Sequence, residues 1–249
     1  MRTLGWVVAV GAVLVVLASV TRTGKSAPLG VTLQGGGGTV TGSVKFVGRA
    51  PSNPELDMSE EPQCAAKYKT TPRDPIVVVN PNGTLANVFV YVKEGLPADA
   101  KYPVPTSSVV IDQSGCEYSP RVFGIMVSQP LEIRNSDPLM HNIKTLAKNN
   151  RPFNVSQPTA GMKLNRTFTA PEVMLRFECN VHGWMRAYAG VLPHPFFATT
   201  GMSGSFSIGG LPPGTYTIEA WHEKYGTQMV TVTVKDNETT SADLTYTAQ

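Results

Sequence analysis

Residues 173–192 of this chain combine two alternating segments with a short loop, and this pattern strongly limits the folds open to them. Apolar side chains alternate with polar or flexible ones from Val173 to Cys179, which is the period of a strand with one face toward a core. Residues 188–192 have the pattern of a returning strand. Between the two the chain must reverse, and Gly183 supplies a permissive backbone. The sequence therefore predicts neighbouring strands joined by a loop, with Cys179 at the inward end of the first.

The loop after the first strand carries three different metal-binding side chains. Cys179, His182 and Met185 offer a thiolate, an imidazole and a thioether. Sulfur donors are soft and imidazole is borderline, so the set favours copper over magnesium, calcium or manganese. Zinc is the alternative, because it accepts one cysteine and two histidines, but it gains little from a thioether. A copper site of this kind needs a second imidazole, and the candidate is His141, which follows a predicted strand and turn at 131–138.

The spacing Cys-x-x-His-x-x-Met with an upstream His-Asn pair resembles the cupredoxins, and among them those with a short ligand loop of the amicyanin type. The resemblance covers about residues 76–195. It implies one mononuclear type 1 copper site in which His141, Cys179 and His182 are the trigonal ligands. Met185 is then the weak, long axial ligand.

The same resemblance concerns two asparagines and, indirectly, the remaining cysteines. Asn142 matches the position that ties the two ligand loops together and tunes the thiolate by hydrogen bonding, while Asn180 stands where the family usually has Ser or Thr. Three cysteines are an odd number, so if Cys179 is the ligand, Cys64 and Cys116 are left to form a disulfide. Such a bond suits an oxidising compartment and contributes about 4 kcal/mol in the chain-entropy model.

The two ends of the chain carry a second, separate pattern. Residues 39–47 alternate as a first strand, and 204–221 contain two more strands around a Leu-Pro-Pro-Gly turn. Together they resemble the carboxypeptidase regulatory-like domains, which are small transthyretin-like sandwiches, over residues 39–50 and about 201–246. Two layouts fit this arrangement: a copper domain inserted into the regulatory-like sandwich, or one larger composite sandwich.

We therefore predict an all-β protein in which a cupredoxin-like Greek-key β-sandwich is joined to, or inserted in, a small transthyretin-like β-sandwich. Only 16% of the residues are charged, and 23 glycines and 20 prolines suit many short strands and turns; no helix is expected beyond the N-terminal part. The predicted regulatory-like sandwich is 39–75 with 201–249, and the copper domain is 76–200. Before them, 1–27 are typical of a signal peptide or N-terminal anchor, and 28–38 of a glycine-rich linker.

The predicted function is one-electron transfer by an exported type 1 copper protein, periplasmic or otherwise extracytoplasmic, secreted or held by an N-terminal membrane anchor. Trp184 beside His182 predicts an apolar rim around an exposed imidazole edge, where a redox partner such as a c-type cytochrome or a membrane oxidoreductase docks. A net charge of +3 is too small to indicate a nucleic-acid partner.

Enzymatic activity is not expected, because the chain has only four histidines and cannot assemble a second set of three. His194 is held in a proline-flanked turn and is expected to be structural, while His222 ends a strand, and a second metal contact there stays open. Two other functions also stay open. One is a surface or periplasmic module that binds carbohydrate or protein, with a structural Cys-His-Met loop, and the other is copper storage or delivery.

Overall fold

The structure, a computed structural model, describes residues 36–248, so the predicted signal or anchor segment and most of the linker lie outside the described residues. Within this range the chain forms seventeen strands and one single-turn helix. The elements are β1 (Gly38–Val47), α1 (Pro62–Ala65), β2 (Phe89–Glu94), β3 (Val109–Ser114), β4 (Glu117–Ser119), β5 (Val122–Met126), β6 (Leu131–Asn135), β7 (His141–Thr145), β8 (Asn154–Gln157), β9 (Lys163–Arg166), β10 (Glu172–Glu178), β11 (Arg186–Leu192), β12 (Phe197–Thr199), β13 (Ser205–Leu211), β14 (Gly214–His222), β15 (Gly226–Val234), β16 (Thr239–Ser241) and β17 (Leu244–Thr247). The all-β prediction is confirmed. None of the helical structure in residues 36–248 is long and apolar enough to cross a membrane.

The strands form two sandwiches with separate hydrophobic cores. The terminal sandwich combines both ends of the described chain, with one sheet in the order β13-β1-β16, where β17 also pairs with β1, and the other in the order β12-β2-β14-β15. The central sandwich contains the strands between them, in the orders β5-β11-β10-β7-β8 and β4-β3-β6-β9. The chain thus enters the central sandwich after β2 and returns to the terminal sandwich at β12, which is the inserted layout.

Hydrogen bonding between strands gives the central sandwich a narrower range of the chain than the sequence suggested. Strand β2 was expected in the copper domain, but its residues pair with β14 in the terminal sandwich. Strand β12, also expected in the copper domain, pairs with β2. The predicted copper domain, 76–200, therefore includes two strands that hydrogen-bond in the terminal sandwich, because a single strand's alternation does not reveal which sheet it joins.

The strand that leads to the candidate site follows its predicted alternation over most of its length. Leu175 and Phe177 of β10 are fully buried and Cys179 follows them into the same core. Val173 departs from the prediction, because its side chain is 39% exposed. The pairing of β10 with β11 shifts register between Glu172 and Leu175. Such an irregularity turns the residues before it to the other face.

The two sandwiches meet where aromatic rings lie directly on glycine backbones. A Cβ atom on Gly190 of β11 would lie 2.2 Å from the ring of Phe89, and one on Gly124 of β5 would lie 2.2 Å from the ring of Phe197. No side chain fits at that separation, so both positions require glycine. The sandwiches are therefore in tight contact rather than joined only through the chain.

Residues 50–75, which we call the capping segment, leave the terminal sandwich after β1 and pack on one end of the central sandwich. Leu56, Met58 and Cys64 form a small apolar cluster with Cys116, which lies between β3 and β4. The segment contains α1, a helical turn that was not expected from the sequence. Its first residue is Pro62, which a helix tolerates in its first turn. A disulfide joins Cys64 to Cys116, as predicted, and so attaches the segment to the central sandwich.

Candidate metal centre

Three predicted ligands converge at the end of the central sandwich. The Nδ1 atoms of His141 and His182 are 3.0 Å apart, and the Sγ atom of Cys179 lies 3.7 Å from Nδ1 of His182. One donor atom from each residue lies within 4.8 Å of the others, and all three side chains are buried. Donors that each lie about 2 Å from one metal ion are themselves about 3–4 Å apart, so this spacing suits a shared ion.

Two paired strands and the loop between β10 and β11 bring these donors together. His141 is the first residue of β7, and Cys179 directly follows β10, which pairs with β7 in antiparallel fashion. The loop doubles back through hydrogen bonds from the Met185 amide to the His182 carbonyl, 2.9 Å, and from the Cys179 amide to the Met185 carbonyl, 3.2 Å. Met185 is therefore buried in the same core as Cys179. The structure thus places Met185 in the core that also contains the candidate ligand Cys179.

The two predicted supporting asparagines connect the ligand-bearing segments. The Asn180 amide donates to Oδ1 of Asn142, 3.0 Å, which joins the residue after Cys179 to the residue after His141. The side chain of Asn180 is exposed and accepts a hydrogen bond from Lys144. The cross-loop bond therefore uses the backbone of Asn180, so the side chain at this position is free to differ.

The outward nitrogen of His141 is held by a buried carboxylate that sequence reasoning assigned only to a turn. Nε2 of His141 lies 2.9 Å from Oδ2 of Asp137. The same carboxylate accepts hydrogen bonds from the amides of Gly115 and Cys116, at 3.0 and 2.7 Å, and pairs with Lys67 at 2.9 Å. Burial alone raises the pKa of Asp137, but Lys67 and the other donors outweigh it and lower the pKa to about 2. Asp137 is therefore ionised at neutral pH.

The outward nitrogen of His182 is covered by the capping segment, which corrects the expected exposed imidazole edge. Only 1% of His182 is exposed. Its Nε2 lies 3.5 Å from Sγ of Cys64 and 3.7 Å from Oε2 of Glu61. Burial lowers the pKa of His182, and the neighbouring His141 lowers it further. The imidazole is thus kept neutral, as metal binding requires.

Trp184 was expected to form an apolar rim, but it instead helps to fix the capping segment over His182. Its indole Nε1 donates to the Cys116 carbonyl at 2.9 Å, and its ring lies 5.3 Å from that of His182. Another residue that sequence reasoning missed is Tyr118, whose hydroxyl donates to the carbonyl of Asn142. Burial raises the pKa of Tyr118, and the charge of Cys179 adds to the shift. No motif in the sequence connects Tyr118 to the ligand loop.

The remaining histidines, one in a turn and one at the end of β14, are not among the converging donors. Nδ1 of His194 accepts from the Phe196 amide at 3.3 Å, and Nδ1 of His222 accepts from the Lys224 amide at 3.1 Å. Burial lowers the pKa of both side chains to about 4. Among the described residues, the groups of side chains placed to hold a metal include neither histidine. Both are therefore neutral at physiological pH, and each accepts a hydrogen bond from a nearby backbone amide.

The chemistry of the converging donors fits copper. Cys179 is the free cysteine among the described residues; two imidazoles converge with it, and its core also contains the thioether of Met185. Soft sulfur with imidazole in a dry site suits copper better than hard cations. The carboxylates of Asp137 and Glu61 face the outward Nε2 atoms rather than the converging Nδ1 atoms. They therefore support the imidazoles from behind.

Comparison with known family models finds a match at the C-terminal end of the chain. The model of the carboxypeptidase regulatory-like domain matches residues 193–247, less than a quarter of the chain. This confirms the resemblance at the C-terminal end and includes β12, which the structure also places in the terminal sandwich. No curated protein matches the chain in sequence. The terminal sandwich therefore contains the part of the chain that matches the regulatory-like model, and the central sandwich lies outside that match.

Solved structures similar to this chain are cupredoxins and a copper enzyme. A Cu-containing nitrite reductase (NirK) from Thermus scotoductus SA-01 is 22% identical over 39% of this chain, with a TM-score of 0.33; the match spans only 25% of the reductase. A reduced amicyanin, solved as a point mutant, is 20% identical over 35% of this chain and 85% of its own, with a TM-score of 0.31. A purple cupredoxin from Nitrosopumilus maritimus is 22% identical over 33% of this chain and 97% of its own, with a TM-score of 0.29. With TM-scores of 0.29 to 0.33, these similarities carry no argument about this chain.

Proposed function

We propose that this protein is an exported one-electron carrier with one mononuclear type 1 copper site. His141, Cys179 and His182 would hold the ion, with Met185 as a weak additional ligand. The observation that carries the proposal is the convergence of two Nδ1 atoms and one thiolate sulfur within 4.8 Å in a buried site. Copper bound there would supply the change between two oxidation states by one electron.

The surroundings of the donors suit electron transfer because they keep the donors in one arrangement. Asp137 fixes the ring of His141, the capping segment confines His182, and Asn142 ties the two ligand segments together. Neither imidazole has room to swing away when the charge of the site changes. A small rearrangement between the two oxidation states favours fast electron transfer.

The redox partner, such as a c-type cytochrome or a membrane oxidoreductase, would not dock on the imidazole edge of His182, because the capping segment covers it. The exposed apolar side chains next to the ligands are Met140, which precedes His141 and is 50% exposed, and Val181, which precedes His182 and is 36% exposed. We propose that the partner contacts this side of the ligand loops. Such contacts between redox proteins are typically small and transient.

A binding role for the terminal sandwich is the second candidate. One open groove on this sandwich is lined by Asp243, Phe206 and six hydroxyl-bearing side chains. The six are Thr41, Ser43, Thr199, Ser205, Ser207 and Ser241. A hydroxyl-rich surface suits a polar ligand such as a carbohydrate, and this role is compatible with a copper site in the central sandwich.

The proposed function is tested by the visible absorption of the purified full-length chain after addition of Cu(II). We expect an intense thiolate-to-copper band that a reductant bleaches and that Cys179→Ser abolishes. Met185→Leu should shift the band or the reduction potential, while the matched control Met202→Leu, at a methionine that is 77% exposed, should change neither. A folded wild-type protein that stays colourless and binds no copper contradicts the proposal.

A further inference from the structure

The buried carboxylate of Asp137 connects a candidate copper ligand to the capping segment. One of its oxygens faces Nε2 of His141 at 2.9 Å and accepts from the Cys116 amide. The other accepts from the Gly115 amide and pairs with Nζ of Lys67 at 2.9 Å. Lys67 belongs to the capping segment, so a residue outside the central sandwich touches the group behind the ligand.

A carboxylate behind a ligating histidine has two effects on a bound metal. It accepts a hydrogen bond from the Nε2–H group and thereby keeps the Nδ1 lone pair directed into the site, and it raises the basicity of the ring. Its negative charge also stabilises the more highly charged metal ion, and burial weakens the screening of that charge. Both effects favour Cu(II) over Cu(I).

We infer that Asp137 lowers the reduction potential of the copper site by its contact with His141, and that Lys67 raises it by partly neutralising Asp137. The inference rests on the proposed function, since it concerns the same site. It makes Asp137 a positioning residue and the capping segment an adjustable part of the copper site. The sign of each effect follows from the charge of the side chain.

Glu61 differs from Asp137 and is expected to have a smaller influence. Its carboxylate is 3.7 Å from Nε2 of His182 and its side chain is 34% exposed, against 4% for Asp137. Water screens a charge in that position, so its effect on the ion is weaker. The buried carboxylate is therefore the one that distinguishes the two imidazoles.

The test uses two variants with opposite expected signs in the full-length protein. Lys67→Met removes the neutralising charge from a side chain that is 29% exposed. The ratio of Cu(II) to Cu(I) affinity should rise about tenfold, which corresponds to a fall in potential of about 59 mV. Asp137→Asn should lower the same ratio about 10–100-fold. Spectroelectrochemical titration and competition with Cu(I) and Cu(II) chelators measure both quantities.

Matched controls separate the contact from the change in net charge. Lys69→Met removes a positive charge from an exposed side chain of the same segment, and Asp57→Asn removes a negative one. Within residues 36–248, neither side chain forms a hydrogen bond or ion pair with Asp137 or with a candidate ligand. Both controls should leave the potential unchanged.

A second measurement needs no copper. In the metal-free protein, nitrogen NMR of His141 should show the proton on Nε2 in the wild type. Asp137→Asn is expected to lose stability, because its amide N–H₂ faces groups that already donate, so its thermal unfolding is compared with that of the wild type. Lys67→Met keeps the test independent of this loss, since its side chain is partly exposed.

The outcomes distinguish the two proposals. Suppose that the wild-type protein is blue, but that Lys67→Met either leaves the potential unchanged, as Lys69→Met should, or raises it. This result overturns the inferred effect of Lys67 and Asp137 on the potential and leaves the proposed function standing. A His141 ring with its proton on Nδ1 in the metal-free protein overturns the positioning role. A wild-type protein that binds no copper overturns the proposed function and the inference together.

Discussion

Two buried ionic clusters use the capping segment in similar ways, but only one lies at the candidate metal centre. In the first, Asp137 pairs with Lys67 of the capping segment. In the second, Arg121 donates to Glu223 through Nε at 2.5 Å and pairs with Asp74 of the capping segment at 2.9 Å. Each cluster therefore attaches the segment to the rest of the protein through a charge that water does not reach.

The difference between the clusters lies in what else they touch. Asp137 contacts His141, whose other nitrogen points toward a thiolate and a second imidazole. Arg121 contacts carboxylates that belong to a loop of the terminal sandwich and to the capping segment. A buried ion pair by itself is weak evidence of function. The comparison shows that a buried ion pair indicates a chemical role when it contacts a candidate metal ligand, and that burial alone does not.

The largest expected effect comes from the structural cluster. Arg121→Ala leaves Glu223 buried without its cation and leaves Asp74 with only the longer pair to Arg186 at 3.6 Å, which should cost about 3–5 kcal/mol of the free energy of unfolding. The copper band of the folded protein should stay unchanged, because this cluster contacts no candidate ligand. Denaturant unfolding with parallel visible spectra measures both.

Arg134→Ala is the matched control for this substitution. Its partner is Glu132, but the side chain of Arg134 is 40% exposed, so the loss should be about 0–1 kcal/mol. Equal losses of unfolding free energy for the two arginine variants, or a changed copper band in Arg121→Ala, would contradict the proposed difference between the two clusters.

The next effect concerns the bond that attaches the capping segment. Replacing Cys64 and Cys116 together with serine opens a loop with a sequence separation of 52 and should cost about 4 kcal/mol. The cover over His182 should also loosen, so a small-molecule reductant should bleach the copper band faster in stopped-flow mixing. An unchanged bleaching rate would show that the segment stays closed without its disulfide.

The smallest effect is a dependence of stability on pH. His222 and His194 have folded pKa values of about 4, below the unfolded value of about 6.5. The unfolded chain therefore binds more protons between these values, and stability should fall as pH drops from about 6.5 to about 4. We expect about 1–3 kcal/mol per histidine. Unfolding midpoints at pH 7.5 and 4.5 measure this, and His222→Gln should flatten the slope; an equal slope in that variant would contradict the assignment.

How far the sequence predicts this molecule depends on whether a feature is local. Alternation and turn residues predicted the strands, and the odd number of cysteines predicted the pairing of Cys64 with Cys116, which is confirmed. The ligand assignment stays a prediction whose residues the structure brings together. The contact of Glu61 with His182 joins residues far apart in the chain, in a segment without periodic pattern, so no sequence rule pointed to it. The side chain of Val173 was predicted to face the core, and this was wrong because a register shift between paired strands cannot be read from the composition of one strand.

The position of the capping segment in the gene has a consequence for recombination and design. The segment is encoded between β1 and β2 of the terminal sandwich, although it completes the end of the central one. A fragment cut at the boundaries of the inserted unit would carry every candidate ligand, yet it would leave Cys116 without its disulfide partner and Asp137 without Lys67. The inserted unit is therefore not transplantable by itself, and the host domain must be inherited with it.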